Sequence, residues 1–206
     1  LAVLSIGAAV VVTLALHQRL PDPVPTHFDL AGQPDGWMPK AYASWGLLAF
    51  ALALWAFVRQ SARIFLPEGD RRRLIHGLCQ IVAALIAALM SAVHVIVLVA
   101  ATTPGASVTR PVFLLVGALF VALGLIMPRV RRNPILGVRT AWTLTSDENW
   151  ARTHRVAGYA MVIAGLVGAV AGSVGGASGG ALASACFIAG GLVPAVYSFV
   201  IARTST

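Results

Sequence analysis

Charge is scarce in this sequence, and acidic charge is the scarcest. Only 11% of the 206 residues are charged, and Asp and Glu together number seven. Hydrophobic residues make up 58% of the chain and mean hydropathy is +0.85, which lies outside the usual range of a soluble globular domain. We therefore expect lipid to surround most of the chain.

Aromatic residues are also few, at 8%, so the hydrophobic bulk comes mainly from Ala, Val, Leu, Ile and Gly. Small residues among these let transmembrane helices pack closely. No segment alternates apolar and polar residues over the length that a transmembrane β-strand needs. The composition predicts an all-α polytopic membrane protein and disfavours a β-barrel.

Features of catalytic or disulfide-bonded proteins are sparse. Cys79 and Cys186 lie near helix ends predicted on opposite membrane faces, so we expect no disulfide between them. No HExxH, Walker or CxxC pattern occurs. Residues 176–180 fit the GxSxG pattern of a hydrolase nucleophile, but that pattern needs a preceding strand, whereas these residues fall in a predicted turn between spans. The sequence predicts neither an enzyme nor a cofactor.

Six apolar stretches are long enough to cross the hydrocarbon core, given a rise of about 1.5 Å per helical residue. They lie at about 1–17, 42–58, 74–101, 111–128, 156–174 and 181–202. Residues 13–15 form a marginal signal-peptidase site, but no basic segment precedes them and further spans follow, so we expect the first stretch to remain a span. The sequence predicts a bundle of about six transmembrane helices.

Arginine decides the predicted orientation of this bundle. Eleven arginines fall in two loops, at 59–73 and 129–155. They are Arg59, Arg63, Arg71, Arg72, Arg73, Arg129, Arg131, Arg132, Arg139, Arg152 and Arg155. Positive loops mark the cytoplasmic side, which also places both termini in the cytoplasm. The net charge of +8 is then explained by basic residues that flank the spans and face anionic lipid head groups, and we expect no nucleic-acid partner.

The predicted outer loop, residues 20–41, is rich in Pro, Gly and Asp, and such residues fix turn conformations. Its His27, Asp29 and Asp35 are candidates for binding a partner, with Trp37 beside them at the membrane boundary. The same three groups are a weak metal candidate, because a His-x-Asp pair with one distant Asp is not a specific metal signature. We assign residues 1–60 to a first region containing this loop.

The second region, residues 61–206, holds four spans and a cytoplasmic motif loop at 129–155. Thr145 and Glu148 fit a capping box, which predicts a helix beginning near Ser146 and continuing into the fifth span. On that helix Trp150 and His154 are one turn apart and so should lie together. Glu148 and Arg152 have the same spacing.

Two groups of residues resemble known families. The motif loop reads Asn133-Pro134-x-x-Gly137-x-Arg139-Thr140-x-Trp142-Thr143, then Ser146-Asp147-Glu148-x-Trp150-x-x-Thr153-His154-Arg155-x-x-Gly158. This pattern resembles the signature of the SdpI family. The outer loop, with Pro-Val-Pro-Thr-His-Phe and Gly-Gln-Pro-Asp-Gly-Trp, resembles a small domain of unknown function that often precedes the SdpI region.

The resemblance to the SdpI family implies a multi-spanning protein of the bacterial cytoplasmic membrane. The founding member gives immunity against a secreted peptide toxin and relays the presence of toxin to a membrane-recruited repressor. We therefore expect an immunity or sensor protein, with a peptide toxin as the partner outside and a regulator inside. The expected cytoplasmic site residues are Asn133, Pro134, Gly137, Arg139, Trp142, Trp150 and His154.

A small transporter or channel is the alternative. In the third span Gln80, Ser91 and His94 recur along one face, together with small residues, and this face should point into the bundle. His94 is the only ionisable intramembrane candidate, since no Asp or Glu lies inside a span. The outer loop and the motif loop are predicted on opposite sides of the membrane, an arrangement that two inverted three-helix repeats would produce. In the fifth span a seam of glycines, including Gly168 and Gly172, predicts tight helix packing.

Overall fold

The computed structural model describes residues 1–65 and 68–204, apart from the side chains of residues 62 and 70–72. Two of the eleven loop arginines, Arg71 and Arg72, are therefore outside the described side chains. Six described helices are long and apolar enough to cross a membrane, as the sequence predicted. In chain order the helices are α1 Ala2–Leu16, α2 Lys40–Phe65, α3 Asp70–Thr102, α4 Thr109–Ile126, the short α5 Ala141–Thr145, α6 Asp147–Val174 and α7 Gly176–Thr204.

The spanning helices pack in two groups of three. In the first group α3 lies against both α1 and α2, and in the second α6 lies against both α4 and α7. Glycines make the second group tight, because a Cβ at Gly165 would lie 2.6 Å from the carbonyl oxygen of Gly117. Gly168 faces the ring of Phe187 at a similarly short distance. The predicted glycine seam is thus a packing surface on two sides of α6.

The connection between α6 and α7 differs from the prediction. Residues 176–180 form the first turns of α7, not a turn between spans, because α7 begins at Gly176. The reversal is confined to Gly175 and Gly176, whose φ angles are +81° and +70°. No strand precedes the GxSxG sequence, since α6 runs up to Val174. A connection this short is possible because the two helices are already in close contact.

The outer loop contains a hairpin that the sequence did not predict. Strands β1 Val24–Phe28 and β2 Pro34–Met38 pair antiparallel, with Val24 opposite Met38. The carboxylate of Asp29 accepts hydrogen bonds from the backbone N–H of Ala31 and of Gln33 and so closes the turn. The Pro, Gly and Asp content that correctly predicted an ordered loop also hid the strands, because these residues are depleted in sheets.

The outer loop and the motif loop lie at opposite ends of the bundle. The carbonyl of Leu30 lies against Gly180 at the start of α7, and Gly32 lies against Thr109 at the start of α4. At the other end a buried cluster joins the start of α3 to the end of α4 and to α6. Its members are Ile75, Leu78, Cys79, Met127, Val130, Trp150 and Ala157. The sides of the membrane assigned to these ends remain a prediction from arginine placement.

Candidate functional site

Asn133 organises the beginning of the motif loop. Its side chain is buried, and its Oδ1 accepts hydrogen bonds from the backbone N–H groups of Ile135 and Leu136 at 2.8 and 2.7 Å. Its Nδ2 donates to the carbonyls of Arg131 and Leu136 at 2.8 and 3.0 Å. All the hydrogen-bonding capacity of this amide is used in folding the loop around Pro134.

His154 fastens the loop to α6. The backbone N–H of Val138 donates to Nε2 at 3.1 Å, and Nδ1 donates to the carbonyl of Trp150 at 2.9 Å. This pattern requires the neutral ring with its proton on Nδ1. Gly137, with φ +116°, passes so close that a Cβ would overlap His154 Nε2. The glycine is therefore needed both for its backbone conformation and for its lack of a side chain.

Trp150 and His154 meet as predicted. Both side chains are buried and their rings stack with centroids 4.0 Å apart and planes at 16°. The indole Nε1 donates to the carbonyl of Val130 at 2.7 Å, which ties α6 to the segment that follows α4. Arg139 lies elsewhere: it is exposed, and its guanidinium donates to the carbonyl of Pro134. The structure brings Trp150 and His154 together and leaves Arg139 on the exposed surface of the motif loop.

The predicted capping box at Thr145 and Glu148 is wrong, although the predicted helix start is correct. Ser146 is the cap of α6, and its Oγ accepts from the N–H of Asn149 at 3.2 Å. Glu148 is the second helical residue, one position too early for a capping box, and instead pairs with Arg152 at 2.7 Å. A capping box does occur one helix earlier, between Thr140 and Thr143 at the start of α5.

Three buried polar residues, of which the sequence analysis named only Thr153 as a motif residue, connect the motif loop to α7. Asn149 Nδ2 donates to the carbonyl of Ser198 at 2.9 Å, and Thr153 Oγ1 donates to Asn149 Oδ1 at 3.0 Å. The hydroxyls of Ser198 and Thr140 are 3.0 Å apart. The four-residue spacing of Asn149 and Thr153, next to Trp150 and His154, was the available signal. Trp142 adds an edge-on contact with Phe199, at 5.0 Å between ring centroids.

The outer hairpin presents a different kind of site. His27 Nδ1 lies 2.5 Å from Asp35 Oδ1, and these side chains are 75% and 47% exposed. Asp29 is committed to the turn, whereas Trp37 is largely exposed. Among the side chains that the structure describes, no three from His, Cys, Asp or Glu come together as a metal site. Of the three candidate groups in this loop, His27 and Asp35 therefore form a pair, and Asp29 closes the turn.

His94 lies on the predicted polar face of α3, near the outer end. Ser91 and His94 are buried, and Gln80 is partly buried and bonded to His76. Thr13 gives its hydroxyl proton to the carbonyl of Ala9, so its oxygen must accept from His94 Nε2, 2.8 Å away. The ring then carries its proton on Nε2 and leaves Nδ1 as an acceptor.

A mainly apolar cavity of about 670 Å³ lies beside His94 and beneath the hairpin. Its walls come from both strands of the hairpin, from the first part of α2 and from the outer part of α3. They include Thr26, Met38, Tyr42, Phe50, Val93 and His94. None of the described residues supplies a hydrogen-bond partner for His94 Nδ1 in addition to the Thr13 contact at Nε2. A ligand with an apolar body and one donor group would match this lining.

Comparison with known families finds matches to two parts of the chain. Residues 129–201 match the SdpI/YfhL protein family, and residues 4–52 match a domain of unknown function, DUF1648. Neither a curated protein nor a solved structure matches the chain. Six membrane-spanning helices with an elaborated loop at each end define a multi-pass membrane protein. The match of residues 129–201 to the SdpI/YfhL family is the one that the motif loop predicted.

Proposed function

We propose that this protein is a non-enzymatic immunity or sensor protein of the bacterial cytoplasmic membrane. It protects against a secreted peptide toxin or a related membrane-active agent. The observation that carries the proposal is that the family residues Asn133, Trp150 and His154 are buried and hydrogen-bonded to backbone groups. Such residues hold one conformation of a loop, and they leave no reactive group for a substrate.

The outer hairpin supplies a surface for recognition. Asp35 and His27 are exposed on paired strands, and a hairpin held by main-chain bonds loses little conformational entropy on binding. An acidic group beside an exposed Trp37 suits a cationic, amphipathic peptide. The apolar cavity below the hairpin offers a place for one of the peptide's hydrophobic side chains.

The motif loop supplies the opposite end of a sensor. Thr140 and Asn149 bind α7 through Ser198, and α7 reaches the hairpin through Gly180 and Leu30. A displacement of the hairpin therefore has a packed route, through one helix, to the loop that would face a cytoplasmic regulator. Signalling to such a regulator forms part of the proposal.

The test is growth of a susceptible bacterium challenged with cationic amphipathic peptides, with the protein expressed at equal membrane abundance in each strain. Wild type should raise the inhibitory concentration, and Asp35→Asn should reduce this protection, more at low salt than at high salt. Glu148→Gln, which removes one acidic group at the opposite end, is the matched control and should protect normally. If Asp35→Asn protected as well as wild type at both salt concentrations, the hairpin would not be the recognition site.

A small transporter with a path near His94 is the second candidate, and the cavity beside His94 is the observation that favours it. The packing disfavours inverted repeats. In the first group the helix that contacts both others is α3, the last of its three spans, whereas in the second group it is α6, the middle span. His94→Gln keeps hydrogen bonding but changes the ring. Loss of protection in this variant, together with retained protection in Asp35→Asn, would favour transport over recognition at the hairpin.

A further inference from the structure

A cleft of about 720 Å³ lies at the motif-loop end of the bundle, apart from the hairpin and from the cavity beside His94. The segment that follows α4 forms one side, the first turns of α6 form another, and the start of α3 contributes Leu74. The lining residues are Leu74, Pro128, Arg129, Val130, Arg131, Arg132, Asp147, Trp150, Ala151, His154 and Arg155.

The charge of this lining is unbalanced. Four arginines line the cleft with a single acidic residue, Asp147, and Arg132 already holds the carboxylate of Asp147 at 2.6 Å. Arg129 donates to the carbonyl of Leu125, which is a neutral acceptor. Arg131 and Arg155 are exposed, and neither forms an ion pair with any side chain that the structure describes.

A concave surface with like charges concentrates an attractive potential for anions. Several arginines around one cleft fit phosphate better than chloride, because each guanidinium donates two parallel hydrogen bonds to phosphate oxygens. His154 adds no charge, since its hydrogen bonds require the neutral ring. The chemistry of the cleft is therefore that of a phosphate group.

The surroundings of the cleft indicate that this phosphate belongs to a lipid. Leu74 is 41% exposed at its edge. Leu125, near the end of α4, lies about one turn before Arg129, and Tyr159 on α6 lies one turn after Arg155. Both Leu125 and Tyr159 are largely exposed. The arginines thus lie at the ends of membrane-spanning helices, and apolar side chains continue from them toward the bilayer centre. An acyl chain has a surface to follow there, which a free phosphate would not use.

We propose that this cleft binds the phosphate head group of an anionic phospholipid, with Arg131 and Arg155 as the principal ligands. The site is independent of toxin recognition, because it shares no residue with the hairpin. Since Trp150 and His154 form one wall, an occupying lipid also stabilises the motif loop against α6.

The experiment measures binding of phosphatidylglycerol and of phosphatidylcholine to the purified full-length protein in detergent, by native mass spectrometry and by the shift in unfolding temperature. Phosphatidylglycerol should bind wild type and raise its unfolding temperature, whereas phosphatidylcholine should bind weakly. The double variant Arg131→Gln/Arg155→Gln should weaken phosphatidylglycerol binding roughly tenfold or more. Arg19→Gln, at the other end of the bundle, is the control for loss of positive charge and should bind like wild type.

The double variant Arg131→Lys/Arg155→Lys keeps the charge but loses the paired donors, so it should bind phosphatidylglycerol with intermediate affinity. It replaces the Gln variant if that variant does not purify as a folded, monodisperse protein. Unchanged phosphatidylglycerol binding in the Gln variant, or in the Lys variant used in its place, would overturn the proposal. Equal binding of the two lipids by wild type would do the same. Inorganic phosphate forms the third arm: stabilisation by phosphate alone, with none added by phosphatidylglycerol, would assign the cleft to a soluble phosphate compound instead.

Discussion

His154 Nε2 accepts the backbone N–H of Val138, 3.1 Å away across sixteen positions of sequence, and this bond holds the motif loop on the helix that follows it. Gly137 precedes Val138, and its φ of +116° turns the N–H toward the ring. Trp150 stacks on one face of the imidazole. Gly137, Trp150 and His154 are therefore parts of one assembly.

Gly137→Ala should destabilise the protein markedly. A Cβ there would overlap His154 Nε2 in addition to occupying an unfavourable φ, which alone costs about 1–3 kcal/mol. Gly105→Ala is the matched control, because Gly105 also has a positive φ, of +77°, but has open space around it. Thermal unfolding in detergent should show a larger loss for Gly137→Ala than for Gly105→Ala. Equal losses would mean that the backbone angle alone matters.

Gly165→Ala should loosen the packing of α6 on α4. The added methyl would lie 2.6 Å from the carbonyl oxygen of Gly117, so the two helices must separate. Overpacking of this kind typically costs about 1–3 kcal/mol. Gly77→Ala, on α3 with no neighbour within 4 Å, should be neutral or slightly stabilising. The unfolding temperatures of the two variants, measured in the same detergent, make the comparison. A neutral Gly165→Ala would contradict the close approach of the helices.

Thr13→Val should destabilise the contact between α1 and α3. Valine has the shape of threonine but would leave the proton on His94 Nε2 without its acceptor in a buried position, at a cost of about 1–3 kcal/mol. Thr13→Ser keeps the hydroxyl and should retain most of the stability. If valine and serine have the same effect on the unfolding temperature, the hydrogen bond contributes little.

Single cysteines should report the orientation of the bundle. In a background with Cys79 and Cys186 replaced by serine, cysteines at Ala31 and Ala106 should react with an impermeant thiol reagent added outside intact cells. Both positions are exposed and lie at the hairpin end. A cysteine at Ala141, exposed at the motif-loop end, should react only after permeabilisation. The reverse pattern would invert the predicted topology.

The sequence determined those features that depend on neighbours along the chain. The start of α6 near Ser146 was predicted correctly, although from a capping box that does not form. Apolar length located the six spans, and four-residue spacing paired Trp150 with His154. Each of these rests on the period of a helix or the thickness of a bilayer, and these quantities are the same for every chain.

Tertiary structure decided which distant residues meet. Thr13 reaches His94 across 81 positions and Asn149 reaches Ser198 across 49, and no local pattern specifies either partner. The hairpin of the outer loop likewise formed from residues with low strand propensity, because Asp29 closes its turn and the bundle supports one side. The four arginines of the cleft are spread over 27 positions, and only the packing of α4 against α6 brings them around one space.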